Sequence, residues 1–270
     1  MSSLRVLMLA LAALLGGAAA ASAAPARVQM EEMTWPEFRD RIAAGATIAL
    51  VPVGGTEQNG PQMALGKHNV RVRALAGRIA EQLGNAIVAP VLAYVPEGTI
   101  DPPQHHMRWP GTLSVPEPVF EATLEAAARS LRHHGLCHVF FLGDHGSYRP
   151  SLDRVAARLN REWAKGSNCR AGALPEYYRA GQGGFAELLK ARGYSEAEIG
   201  THAGLSDTAL MLAVDPSLVR TDIMAARPPK ANDGVAGDPR RASAELGKLG
   251  TDHIVEAAVA AIRAATRPAP

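Results

Sequence analysis

Thr47-Ile-Ala-Leu-Val-Pro-Val53 runs directly into Gly54-Gly-Thr-Glu-Gln-Asn-Gly-Pro61. An unbroken apolar stretch of this length, closed by a glycine-rich turn, reads as a strand buried on both faces. The pattern recurs at Cys137-His-Val-Phe-Phe-Leu142, which empties into Gly143-Asp-His-Gly-Ser-Tyr148. A further strand is expected over 86–94, broken by Pro90. Helical periodicity covers 70–83, 116–134, 151–164, 185–192, 208–214 and 242–265, whereas 227–240 is too rich in Pro and Gly to form an element. β-runs alternating with helices predict an α/β fold around a mostly parallel sheet.

The first residues carry Arg5, an apolar run from Val6 to Leu15 and then Ala21-Ser22-Ala23. These three regions predict a secretory signal peptide over 1–23 cleaved after Ala23, and a periplasmic or secreted protein. The run is too short to span a bilayer, which takes about 20 residues. Residues 24–270 then form one domain, long enough for a sizeable core. The formal charge of +2 for the whole chain becomes +1 without Arg5, which gives no argument for nucleic acid or membrane as partner and favours a small molecule. Cys137 and Cys169 could form a disulfide in an oxidising compartment, or Cys137 could pack as a buried thiol. No serine-nucleophile motif or phosphate-binding loop occurs, which argues against serine hydrolases and nucleotide-dependent enzymes.

In open α/β sheets, ligands collect beyond the carboxyl ends of the strands. There the chain places Glu57, then His68 eleven residues on, His145 after the second quoted strand, and His202 and Asp207 in Gly200-Thr-His-Ala-Gly-Leu-Ser-Asp207. Carboxylate and imidazole together suit zinc, manganese or iron. The bland alternative is a set of helix caps and solvated loop residues. Lys67 and Asn69 read as solvated flanks of His68. His133 and His134 complement a helix C-terminus. Asp144 reads either as a cap or as a partner to a ligand histidine. Tyr177, Tyr178 and Arg179 fall in a polar connection, expected to be a packed surface loop rather than a lid.

The segments 54–68, Trp109-Pro-Gly-Thr-Leu-Ser114, Gly143-Asp-His-Gly146 and Thr201-His-Ala-Gly-Leu-Ser-Asp-Thr208, with Gly234-Val-Ala-Gly-Asp-Pro239, resemble the creatininase (creatinine amidohydrolase) family, in order, over about residues 35–265. The resemblance implies an α/β three-layer sandwich that hydrolyses non-peptide or cyclic C–N bonds. It also implies two divalent metals held by Glu, His, a bridging Asp, a second His and a further carboxylate, and assembly as a homo-oligomer. Carried over, Glu57 and His145 are metal ligands, and Asp207 is the further carboxylate and a candidate base. His202 is the proton-transfer residue, and His106 lies in the substrate pocket wall. Asn59, Trp109 and Tyr148 join His106 as candidate substrate contacts.

Two positions depart from the family pattern: its second-position His is Asn59, and its bridging Asp is His68. A neutral imidazole cannot bridge two metals as a carboxylate can. Glu57, His68 and His145 make the Glu-plus-two-His set of a mononuclear zinc site, so one ion is expected rather than two. The leading expectation is an exported, metal-dependent amidohydrolase. The alternatives are a metal-dependent peptidase on small peptides and a non-catalytic binding protein with a degenerate metal site.

Overall fold

The computed structural model describes residues 27–267, so the leader expected over 1–23 lies outside the described residues. In chain order the elements are α1 (Trp35–Ala43), β1 (Ile48–Val53), α2 (Lys67–Leu83), β2 (Ala86–Val88), α3 (Glu117–His133), β3 (His138–Gly143), α4 (Arg149–Trp163), β4 (Arg170–Ala173), α5 (Pro175–Arg179), α6 (Phe185–Lys190), α7 (Glu196–Ile199), α8 (Leu205–Val214), α9 (Thr221–Ala226) and α10 (Ala244–Ala265). The sheet is parallel throughout, in the order β2-β1-β3-β4.

All six residues of β1 are buried because helices cover both faces of the sheet. Ile48 and Leu50 point into one core with α2, α8 and α10, through residues such as Leu75, Leu210 and Ile254. Ala49, Val51 and Val53 point into the other with α3 and α4, through Leu124, Leu159 and Trp163. The alternation of side chains along a strand thus assigns neighbouring residues to opposite layers and produces the expected three-layer sandwich.

Strand 86–94 shortens to Ala86–Val88, although the Leu92 N–H still donates to the Pro52 carbonyl at 2.9 Å. Pro90 has no N–H to give the ladder. The helix expected over 70–83 begins at Lys67, which places His68 in its first turn, and the helix expected over 208–214 begins at Leu205, which places Asp207 in its first turn. α1 is nucleated by a Thr34/Glu37 capping box despite carrying no fully buried residue. β4, Arg-Ala-Gly-Ala, lacks the apolar run that identified the other strands.

His138 and Arg170 pair in register, so the residues preceding them face each other, and Cys137 and Cys169 are joined by a disulfide. Among the described residues no helix is long and apolar enough to cross a membrane.

Candidate metal centre

The carboxyl ends of the strands and the N-termini of α2 and α8 converge on Glu57, which is fully buried. The loop that carries it is threaded tightly past its neighbours. Gly55 sits at φ 149°, and a Cβ there would lie 2.5 Å from Glu97 Oε1. The Gly55 N–H donates to Asn69 Oδ1 at 2.9 Å, and Asn69 Nδ2 donates to Thr56 Oγ1 at 3.1 Å. Asn69, read from sequence as a solvated flank, is therefore the brace of the Glu57 loop.

Four imidazoles surround this carboxylate. His68 Nε2 is 2.8 Å from Oε1, and His145 Nε2 and His106 Nε2 are 3.4 and 3.3 Å from Oε2. His202 Nδ1 is 3.6 Å from Oε1. Two groups have ligand atoms all within 4.8 Å of one another: Glu57, His68 and His145, and Glu57, His106 and His202.

Hydrogen bonds decide which rings offer a lone pair to a metal. His68 lies between two carboxylates, with Nε2 2.8 Å from Glu57 Oε1 and Nδ1 3.2 Å from Asp144 Oδ2, so Nε2 donates to Glu57 in the metal-free arrangement and Asp144 would take the ring proton at Nδ1 once Nε2 turned to a metal. His145 Nδ1 lies 2.9 Å from Ser147 Oγ, whose hydroxyl hydrogen goes to the Pro96 carbonyl, and 3.4 Å from the Ser147 N–H, so Nδ1 is engaged by Ser147 and Nε2 faces Glu57. These two rings and Glu57 fit a divalent ion. The second group fits less well. Gln58 has its amide orientation fixed by the Gly60 N–H on Oε1 and the Gly234 carbonyl on Nε2, so Nε2 donates to His106 Nδ1 at 3.1 Å and His106 Nε2 carries the proton. His202 donates Nε2–H to the Gln58 carbonyl at 2.9 Å and presents a bare Nδ1.

Burial favours neutral imidazoles here, lowering His145 to about 3 and His202 to about 4. Burial also disfavours the charged form of Glu57, but the hydrogen bond from His68 and the Lys67 ammonium outweigh it and hold the carboxyl well below its usual range.

Behind the ligands lies a buried charge network. Arg71 donates Nε to both oxygens of Asp144, at 2.9 and 2.8 Å, and NH1 to Asp207 Oδ1 at 2.8 Å. Asp144 is thus the orienting partner of His68 rather than a cap. Lys67, also read as solvated, is fully buried, with Nζ 2.7 Å from Asp207 Oδ2 and 3.6 Å from Glu57 Oε1.

These contacts correct three sequence readings. Asp207 is not a metal ligand or free base in this arrangement, because Lys67, Arg71 and the Ala203 N–H consume its oxygens. Tyr148 is not placed to touch substrate. It is completely buried, and its oxygen joins the Val53 and Gly54 carbonyls, both at 2.7 Å, to the N–H groups of Asp144 and His145. Asn59 is also fully buried and spends Nδ2 on the carbonyls of Glu57 and Ala64. His106 does reach the centre, whereas half-buried Trp109 stacks under Arg108, 5.6 Å from its ring centroid. Tyr177 lies on α5, buried, with its hydroxyl 3.3 Å from Asp144 Oδ1, so it belongs to neither lid nor surface loop.

Glu97 was not singled out from sequence. It is 3 % exposed, neither oxygen has a hydrogen-bond partner, and Oε2 lies 3.5 Å from His145 Nδ1. Burial, and then the charge of Glu57, push its carboxyl up to about 9. The rule that pointed to the other loops would have found it, since Val95-Pro-Glu-Gly98 follows the second strand. Lys67 and Arg71 carried a different signal. They flank His68 on the helix face that continues apolar through Val72, Leu75 and Ala76.

The chain is similar to known proteins over nearly its whole described length. Residues 31–262 match the family model "Creatininase", described as creatinine amidohydrolase. The creatinine amidohydrolase of Pseudomonas putida is 28% identical over 202 residues, 73% of this chain and 76% of that one. The mycofactocin precursor peptide peptidase of Mycolicibacterium smegmatis is 29% identical over 180 residues, 65% of this chain and 61% of that one. A solved creatininase variant of the zinc–zinc type superposes with a TM-score of 0.73 at 27% identity, covering 89% of this chain and 99% of the other.

Proposed function

The chain belongs to the creatininase family, and from that premise we propose that it is an exported amidohydrolase that opens a small, non-peptide or cyclic C–N bond using one divalent ion held by Glu57, His68 and His145. The observation that carries this reading is the Glu57, His68, His145 triad, each of whose imidazoles has an oxygen beside Nδ1 that can hold the ring proton away from an ion at Nε2. Zinc is the ion preferred for such a set, with manganese or iron as alternatives.

A divalent ion in this position supplies a Lewis acid that acidifies water and polarises a carbonyl. The chain supplies the proton movements. His202, neutral with a bare Nδ1 facing Glu57, takes the proton released as water adds to the carbonyl carbon, then returns it to the nitrogen as the C–N bond breaks. That return is needed because an amide anion is too basic to leave. His106 presents Nε2–H to the same space as a donor for a substrate oxygen. Asp207 has no part in proton transfer and holds Lys67 and Arg71 in place.

Peptidase action on a small peptide is the second reading, favoured by the similarity to the mycofactocin precursor peptide peptidase, at 29% identity against 28% for the creatinine amidohydrolase but over less of each chain. The assembled triad, with Glu57 and His145 at the family's ligand positions, weighs against a non-catalytic binding protein. Export is supported by the leader-like sequence of residues 1–23 and by the Cys137–Cys169 bond, which suits an oxidising compartment. Assembly as a homo-oligomer completes the proposal, with the apolar groove lined by Met33, Trp35, Phe38 and Ile42 offering a surface for a second copy.

The test is elemental analysis of purified protein together with a screen of lactams, ureas and short peptides with and without chelator. One equivalent of metal and chelator-sensitive lactam or urea hydrolysis is expected. Metal-free protein that cannot be loaded would overturn the proposal, and cleavage confined to peptides would replace it with the second reading.

A further inference from the structure

Among the described residues Lys67 is the one ammonium group buried against the proposed ligands, and nothing in the hydrolytic scheme uses it. Its Nζ lies 3.6 Å from an oxygen of Glu57, the carboxylate common to both groups of candidate ligands. It cannot swing away. Asp207 grips it at 2.7 Å and is itself fixed by Arg71 NH1 at 2.8 Å and by the Ala203 N–H at 2.9 Å.

The buried charges around the centre are the carboxylates Glu57, Glu97, Asp144 and Asp207 and the cations Lys67 and Arg71. Counting Glu97 as ionised or as neutral, this shell carries two or one net negative charges. One divalent ion brings the total to zero or to one positive charge. A second would leave two or three uncompensated positive charges in a desolvated site, against one or two if Lys67 carried no charge, so the ammonium weighs strongly against it.

Resting on the metal-dependent reading above, we propose that Lys67 is the resident second cation of this centre: its ammonium, clamped between Glu57 and Asp207, supplies in covalent form the charge that a second metal ion would bring and so limits the site to one divalent ion. Glu57 and the bare His202 Nδ1 already face a second position, and His106 Nε2 joins them once it gives up its proton, so charge acts together with donor supply in setting the stoichiometry.

The experiment measures zinc stoichiometry by native mass spectrometry and locates the ions by anomalous scattering in the full protein, in K67M and in K67M/D207N. Wild type is expected to bind one ion. K67M, with one positive charge fewer, is expected to bind a second ion at least about 100-fold more tightly than wild type does. K67M/D207N restores the charge balance and is expected to return to one ion, which separates charge from vacated space. If K67M does not fold, K67Q, which keeps a hydrogen-bond donor for Asp207, takes its place. Two ions in wild type, or one ion in the neutral variants at millimolar zinc, would overturn the role of Lys67 while leaving metal dependence intact. Wild type that binds none would overturn both.

Discussion

Glu97→Gln should change how the metal-free protein responds to alkali. In the folded chain the Glu97 carboxyl keeps its proton up to about pH 9, against about 4.5 when exposed. Between pH 6.5 and 9 the folded state therefore holds a proton that the unfolded chain has lost, and stability falls as pH rises. One proton difference is worth about 1.4 kcal/mol per pH unit, or about 3 kcal/mol across this window. Glu97's contribution is fully present below about pH 4.5 and is lost as pH climbs towards about 9. Below pH 6.5 the trend reverses, because His145 and His202, held near 3 and 4, stay neutral in the fold while the unfolded chain protonates both. These two protons, joined by those of His106 and His138, which burial also lowers, then oppose the one on Glu97, so metal-free wild type should be most stable near pH 6.5. A glutamine amide cannot titrate, so the variant should keep the acid limb, steepened, and lose the alkaline one. Urea unfolding followed by circular dichroism in the presence of chelator, at pH 6.5, 7.5 and 8.5, measures this directly. Wild-type and variant curves that decline in parallel above pH 6.5 would show that Glu97 is not a buried acid holding its proton.

Three further outcomes are expected. Asp144→Asn removes the acceptor that orients His68 and should weaken zinc binding roughly 10- to 100-fold, read by competition with a chromogenic chelator; unchanged affinity would contradict the orienting role. His202→Ala should retain zinc while kcat drops by roughly 10²- to 10⁴-fold, whereas His145→Ala should lose both, so equal metal loss in the two variants would remove His202 from proton transfer. Replacing Cys137 and Cys169 together by Ser opens a loop with a sequence separation of 32. It should cost about 2–4 kcal/mol in urea unfolding under non-reducing conditions, and no change would mean the bond does not constrain the unfolded chain.

The sheet was legible because β1 and β3 are buried on both faces and therefore consist of continuous apolar residues. β4 was not, because its four residues are held largely by backbone pairing with β3 and by the disulfide next to it. Glu57, His68, His145 and His202 were legible as polar residues placed after strands or beside glycine. Asp207 illustrates the limit of that reasoning. A carboxylate at the right point in the chain looks the same whether it faces substrate or is locked behind Lys67 and Arg71. Lys67 was read as solvated from its charge alone, although the helix face on which it and Arg71 sit continues apolar through Val72, Leu75 and Ala76. Tyr148 and Asn59 were misread for a related reason: the Tyr148 hydroxyl and the Asn59 Nδ2 are spent on backbone groups of loops whose paths only the fold reveals, which leaves the buried Asn59 Oδ1 alone without a partner.

The Tyr148 oxygen has a further consequence. It is a single junction at which the backbone leading to Glu57 meets the backbone carrying His145, so the spacing of those two donors is set before any ion arrives. An ion entering such a site need not order the chain, which spares the entropic cost that metal binding imposes on flexible sites. Uptake should then proceed as a simple bimolecular association without a slow folding phase, and the backbone should be nearly superimposable with and without the ion. Loss of that one phenolic oxygen would turn a preformed receptor into one that has to be assembled around its guest.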